Sequence, residues 1–429
     1  DKNNYVDCMG NFGADGIVGP HAEKEGSYYT IKEVWCPVQL TWNDVEKGEL
    51  TLSNQYNFVN LKDCRFSYRL LQMPAMGSTQ VKVLKQGNLS SPDVAPGKEA
   101  QVKIPMMANA DAVEIKAVNH EGEEIMTWSR GVKSEERRVK NSSAPSTSSA
   151  AYADQADAVE VKAGGRTYRF AKKDGRLMGV EVGSKAISLS NGPRFMAARR
   201  SDRSLDQFYN HDDKEAEKKK TLYTEFVDQG AFAGFEWKEA EAKLVATYQH
   251  GSLDEVDWQF LSDGSVAVTC HYNFGGVVDM MGMAFDYPES KVRSKAWVGN
   301  GPYRVWQNRE QGPQYGYWQN DYNDPIPAES WDYPEFKGYF ANVKWMQFKT
   351  DEGKIGFSGL TADEHMGVYT PRDGRDGLLY TLPQTGLAVF KVIPSVRNKV
   401  NTTDLNGPSA LPKWLNGKGK TVFTLNFEL

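Results

Sequence analysis

The sequence predicts an all-β chain made of two β-sandwiches in series, and three observations carry that expectation. Apolar residues alternate with polar ones over short runs along most of the 429 residues, which places them on one face of a strand. Turn residues separate the runs, with 39 glycines and 19 prolines. Twice an Asp-Gly pair stands between alternating runs, at Lys173-Asp174-Gly175 and at Ser262-Asp263-Gly264-Ser265, a pairing whose favoured turn matches strand twist.

Residues 1–33 lack the apolar surface to stand alone. Asn11-Phe-Gly-Ala-Asp-Gly-Ile-Val-Gly-Pro is turn-like, and the stretch from Glu23 to Trp35 accommodates one short helix. The segment reads as the tail of an element outside this chain, and the start at Asp1, without Met or a leader pattern, leads to the same expectation.

Residues 34–132 alternate in about seven short runs. Leu50 and Leu52 with Tyr56 and Phe58, Phe66 with Tyr68 and Leu70, Val102 with Ile104, and Val113 with Ile115 are clear examples. Turn signals lie between them, as in an immunoglobulin-like sandwich, but without that fold's Cys-Trp-Cys spacing. Residues 133–157 break the pattern with a charged run and then Asn141-Ser-Ser-Ala-Pro-Ser-Thr-Ser-Ser. Small polar residues bury too little to offset ordering, so a linker is expected.

Residues 158–429 return to strands. Tyr168 and Phe170 pass through the first Asp-Gly turn to Leu177 and Val180, and Val256, Trp258 and Phe260 pass through the second to Val266, Val268, Cys270 and Tyr272. Further runs at 343–348, 354–359, 387–393 and 421–427 require two large packed sheets, because one open sheet of that size would curl or split. The charged run from Asn210 to Lys220 reads as a solvated loop or short helix.

A net charge of -5, from 51 basic and 56 acidic residues, gives no electrostatic case for nucleic acid or an anionic membrane. No apolar run is long enough to span a bilayer. Cys8, Cys36, Cys64 and Cys270 are too scattered for a zinc site or a disulfide scaffold, so isolated buried thiols are expected.

One stretch suggests chemistry. From Lys295 to Gln311, the strand end Ala296–Val298 meets Gly299, Gly301 and Pro302, which predicts a sharp turn. Tyr303, Trp306 and Arg309 follow, with Tyr315, Tyr317, Trp318, Tyr322, Trp331 and Tyr333 beyond. Sugar faces stack on rings and guanidinium forks hold hydroxyl and carboxylate oxygens, so Trp306, Arg309 and Arg304 are candidate saccharide contacts. The competing reading places the same rings in the core of a large β domain. His21 and His365 stand without an evident partner.

The order of these pieces resembles the C-terminal portion of glycoside hydrolase family 2 enzymes of the β-galactosidase type. Asn11-Phe-Gly-Ala-Asp-Gly-Ile-Val is similar to that family's Asn-Phe-Cys-x-Asp/Asn-Gly-Leu-Val at the end of the catalytic barrel. Tyr29-Thr-Ile-Lys-Glu-Val-Trp-Cys-Pro-Val resembles the barrel exit, and Arg199 stands where the family has Trp-Arg-Ala-Pro. Gly299-Asn-Gly-Pro-Tyr-Arg-Val-Trp-Gln-Asn-Arg resembles Gly-x-Gly-Pro-x-Glu-x-Tyr-x-Asp-Arg. Departures are Arg304 for Glu, Asn308 for Asp, Ala198 for Trp, and the absence of a tryptophan between Lys391 and Asn401, where the family has Gly-Gly-Asp-x-Ser-Trp.

The resemblance implies that residues 1–33 are a remnant of a TIM barrel and that residues 158–429 form a galactose-mutarotase-like sandwich. It also places both catalytic carboxylates upstream, so no catalytic residue is assigned here and the chain alone is expected to be inert. Phe12, through its carbonyl, and Asp15 would hold a monovalent or Mg cation in the complete enzyme, while the chain itself requires no cofactor. The expected partners are an oligo- or polysaccharide substrate, the upstream barrel and a second copy of the chain. The expected location is the periplasm or exterior of a bacterium rather than the cytoplasm. Two rivals stay open: a stand-alone carbohydrate-binding scaffold with Trp306, Trp318 and Trp331 along an open groove, and a uronide specificity in which Arg304 meets an acidic sugar.

Overall fold

The computed structural model describes residues 26–132, 150–200, 221–226, 230–321, 338–369, 380–381, 385–395 and 407–429, with isolated positions at 17, 18, 22, 24 and 228. Phe12, Asp15, His21, Cys8, Trp331 and the charged run 210–220 lie outside the described residues. The described chain is nearly all β, as expected, with one α-helix, Gly26–Val34. No helix among the described residues is long and apolar enough to cross a membrane.

The first sandwich packs a three-stranded sheet (Val38–Asp44, Glu49–Asn54, Glu99–Lys103) on a four-stranded one (Lys82–Leu89, Arg65–Gln72, Ala112–Val118, Glu124–Gly131). Alternation supplies the core: Leu50, Leu52, Phe66, Leu70, Val113, Ile115 and Trp128 meet between the sheets. Phe58, by contrast, is 94% exposed, because the chain has left the strand before reaching it. Cys36 and Cys64 are buried free thiols here, and Cys270 is one in the second sandwich.

The second sandwich opposes a nine-stranded and an eleven-stranded sheet. Both Asp-Gly turns close hairpins as predicted: Arg166–Ala171 pairs with Leu177–Val182, and Leu253–Phe260 pairs with Val266–Val278. Gly175 and Gly264 take φ +73° and +82°, where a side chain would be strained. Asp263 Oδ1 accepts the Ser265 amide at 2.9 Å, which tightens the second turn. Trp258, Phe260, Val268, Trp297, Phe357 and Phe423 face Tyr168, Phe170, Phe195, Met283, Phe285 and Val389 across the interior. Phe170 meets Trp258 edge-on with centroids 4.8 Å apart.

Three features differ from the sequence expectation. Ala151–Asp154, within the expected linker, is a strand paired with Ala158–Ala163. The last strand runs Lys413–Glu428, well beyond the apolar run 421–427, and lies centrally in the nine-stranded sheet between Val266–Val278 and Lys354–Ser358. Gly299 and Gly301 do not turn the chain, since the strand Val292–Gly301 includes both. They are close-approach glycines: a methyl on Gly301 would lie 2.6 Å from the Trp318 ring, and one on Gly299 would lie 3.0 Å from Val343 Cα.

The two sandwiches share a seam. Leu71, Met73 and Ala112 of the first pack with Val298, Tyr315 and Trp345 of the second. Trp345 Nε1 donates to the Pro74 carbonyl at 2.9 Å, and Lys344 Nζ lies 3.1 Å from Asp111 Oδ1. Ser129 donates its amide to Gln314 Oε1 at 2.8 Å and its hydroxyl to the Tyr315 carbonyl at 2.6 Å. Trp345→Ala removes a buried indole and leaves the Pro74 carbonyl unpaired, a loss of about 3–5 kcal/mol. Urea denaturation should show a lower midpoint and a split into two transitions. An unchanged single transition would contradict the seam.

Candidate functional site

The site is built on the turn Trp306-Gln307-Asn308-Arg309, in which Trp306 and Arg309 exchange backbone hydrogen bonds at 3.0 Å each way. That tight turn sets their side chains together, and the Arg309 guanidinium lies over the Trp306 ring at 4.3 Å from its centroid. Burial pushes the Arg309 pKa down. No carboxylate of the described residues forms an ion pair with it.

The turn is anchored from below and from the side. Val305 is fully buried and exchanges backbone bonds with Tyr339 at 2.8 and 2.9 Å. Both pack on the outer face of the eleven-stranded sheet, against Met196, Ala198, Met280, Ala388 and Phe390. The Gln307 amide donates to the Pro394 carbonyl at 3.1 Å, and Gln307 Nε2 donates to the Ser409 and Leu411 carbonyls at 2.7 and 2.8 Å. The helix Gly26–Val34 meets the segment from the remaining side, where Tyr29 stacks on Tyr303.

Of the residues nominated from sequence, the structure brings Trp306 and Arg309 into contact and places Arg304 nearby with a different neighbour. Arg304 is 5% exposed, its guanidinium 5.0 Å from the Phe340 ring centroid. Lys295 Nζ lies 5.6 Å from the centroid of the same ring. Trp306 is 3% exposed, so a sugar could stack on it only if Arg309 swung away. Trp318 does not join it in an open groove: its indole donates to the Gly299 carbonyl at 3.1 Å and packs against the large core. The cation ligands Phe12 and Asp15 fall outside the described residues.

Sequence reading missed one group with metal-ligand chemistry. Glu255, Asp257 and His271 bring ligand atoms within 4.8 Å of one another on facing strands, Glu255 paired with His271. Period-two spacing of the two carboxylates was the available signal, but the cross-strand histidine was not. Lys243 Nζ, 3.7 Å from Asp257 Oδ2, already supplies positive charge there.

His365 is no proton carrier at neutral pH. Among the described residues its buried Nδ1 has no hydrogen-bond partner, and burial pushes the imidazole pKa down to about 4. The depressed folded value means the neutral ring contributes stability that is fully present above the unfolded pKa of about 6.5 and is lost as pH falls through 4. Glu364, 1% exposed, is pushed up by burial and acts in the opposite direction. Comparing wild type with His365→Phe cancels that shared effect. The urea midpoint of the wild type should therefore fall relative to that of His365→Phe between pH 7 and pH 4; a pH-independent difference would refute this assignment.

Comparison with known proteins follows the two sandwiches. The profile of the family described as beta galactosidase small chain matches residues 162–390, and that described as beta-galactosidase, domain 4, matches residues 50–128. No curated protein matches the chain. Among solved structures, an uncharacterized Listeria monocytogenes protein in complex with glucose, magnesium and calcium is 9% identical, with a TM-score of 0.20. The cycloalternan-forming enzyme of the same organism, in complex with a pentasaccharide substrate, is 8% identical, also at 0.20. In each case 91% of this chain is covered, and the chain spans 30% of the other protein's length. An auxiliary nutrient binding protein of Bacteroides thetaiotaomicron is 9% identical over 92% of this chain and 98% of its own, at 0.14.

Proposed function

The chain belongs to the beta-galactosidase small-chain family, and from that premise we propose that it is the non-catalytic C-terminal portion of a retaining, exo-acting β-glycosidase. The observation that carries the reading is the order of the matches: the domain 4 profile falls on the first sandwich and the small-chain profile on the second. A retaining glycosidase works with two carboxyl groups about 5 Å apart, one an acid/base and one a nucleophile. In this reading both come from an upstream barrel, and the present chain braces that barrel and edges its sugar site with the turn Trp306–Arg309. The cation expected at Phe12 and Asp15 belongs to the same complete enzyme.

Arg309 is the group in the turn suited to meet a sugar, since Trp306 and Arg304 lie beneath other side chains. A guanidinium fork binds vicinal hydroxyls or a carboxylate equally well by geometry. A half-buried cation without a carboxylate partner among the described residues therefore also favours the second reading, a uronide-like specificity.

The test uses aryl β-galactosides and aryl β-glucuronides. The isolated chain should turn over neither, and turnover would refute the non-catalytic role. In an enzyme with the upstream barrel present, Arg309→Ala should lower kcat/KM about 10- to 100-fold, roughly 1.4–2.8 kcal/mol of transition-state binding. The more strongly affected substrate identifies the specificity; loss on neither would remove Arg309 from the site.

A further inference from the structure

The segment Tyr303–Gly312 that carries the turn is gripped at both ends by the helix Gly26–Val34. At the first end the Tyr29 and Tyr303 rings stack with centroids 5.0 Å apart, and the Tyr303 hydroxyl donates to the Lys24 carbonyl at 2.9 Å. At the second, Thr30 Oγ1 donates to the Gln311 carbonyl at 2.9 Å, and the Glu33 carboxylate accepts the Gly312 amide at 2.6 Å. Gly312 has φ +104°, and a methyl there would lie 2.8 Å from the Thr30 amide nitrogen. A side chain at that position is thus barred both by conformation and by the helix. The middle of the segment is tied elsewhere, through Val305 to Tyr339 and through Gln307 to Pro394, Ser409 and Leu411.

We propose that the helix Gly26–Val34 is a positioning element for the turn Trp306–Arg309 and that Glu33 is its principal positioning residue. Glu33 and Gly312 are 279 residues apart in sequence, so the grip sets the turn from outside the domain that carries it. A carboxylate on a backbone amide is a charge-assisted bond, stronger than a neutral one. Lys32, the neighbouring cation, is held 2.9 Å from Glu124 of the first sandwich. The helix therefore ties both sandwiches to the segment, and whatever displaces it displaces Arg309. The sugar-facing role of the turn rests on the function proposed above; the grip itself rests on these contacts.

Hydrogen exchange in the full chain tests the grip, with Glu33→Ala, Glu33→Gln, Gly312→Ala and Tyr29→Leu as variants. Exchange over residues 303–314 should accelerate about tenfold or more in Glu33→Ala and Gly312→Ala, while the core strand Val266–Val278 keeps its protection. Glu33→Gln should fall between wild type and Glu33→Ala, because its carboxamide oxygen still accepts the Gly312 amide through a weaker, neutral bond, a partial rescue that general destabilisation would not give. Tyr29→Leu, which releases only the Tyr303 end, replaces any variant whose core strand also loses protection. Unchanged exchange over 303–314 in Gly312→Ala and Tyr29→Leu would overturn the proposal, as would equal acceleration in Glu33→Ala and Glu33→Gln. Galactose and galacturonate titrations followed by NMR, on the enzyme with the upstream barrel present, separate the two layers. Weaker binding in the accelerated variants supports both; accelerated exchange with no binding even by wild type leaves the grip standing and removes the sugar-facing role.

Discussion

The dry contact between the inner faces of the nine-stranded and eleven-stranded sheets is the constraint on which the rest of the molecule depends. The strands that build it contribute alternate residues, so Trp258, Phe260, Val268 and Cys270 point inward while Asp257, Thr269 and His271 point out. A one-residue slip in any strand would exchange those sets, which fixes register across the whole sandwich. Fixed register then fixes where the loops leave the sheets. The Trp306–Arg309 turn lies where it does because Val292–Gly301 is locked by Trp297 in the core and because Val305 and Tyr339 rest on the back of the opposing sheet.

The candidate site is composite, held by parts distant in sequence. Gln307 ties the turn to Pro394, Ser409 and Leu411, Val305 ties it to the sheet, and the N-terminal helix holds the flanks of the segment. A loop tethered from several sides holds a side chain more precisely than a hairpin tip tethered at its ends, which is what recognition by a rigid guanidinium requires. The seam through Trp345, Asp111 and Lys344 extends the same logic to the scaffold, since the first sandwich is fastened to the strands next to the turn.

What could be read from the sequence is what alternation and turn chemistry encode locally. The two Asp-Gly hairpins and the runs of the first sandwich announce themselves because the inward residues are apolar at every second position. The first half of the last strand does not: Asn416-Gly417-Lys418-Gly419-Lys420 has no apolar face and is held in the sheet by pairing with residues 271–275. Ala151–Asp154 is hidden for a similar reason, since two alanines and an aspartate resemble a linker until a partner strand is supplied. Gly299 and Gly301 signal a turn in isolation, and only the neighbouring Trp318 and Val343 reveal that small size was the requirement. The nomination of Trp306, Arg309 and Arg304 found the right segment, but not which of them is covered. Burial by Phe340, and by Arg309 itself, is a property of packing that no spacing records.

The central place of Lys413–Glu428 governs how the chain can be made. Strands on either side of it are synthesised long before it exists, and until it arrives Val266–Val278 and Lys354–Ser358 both present unpaired edges. The first sandwich draws all its strands from residues 38–131 and can close while the remainder is still leaving the ribosome. The larger sandwich has no such freedom: the sixteen-residue strand Lys413–Glu428 zips two waiting half-sheets, so a nascent chain carries exposed, adhesive edges until that strand emerges.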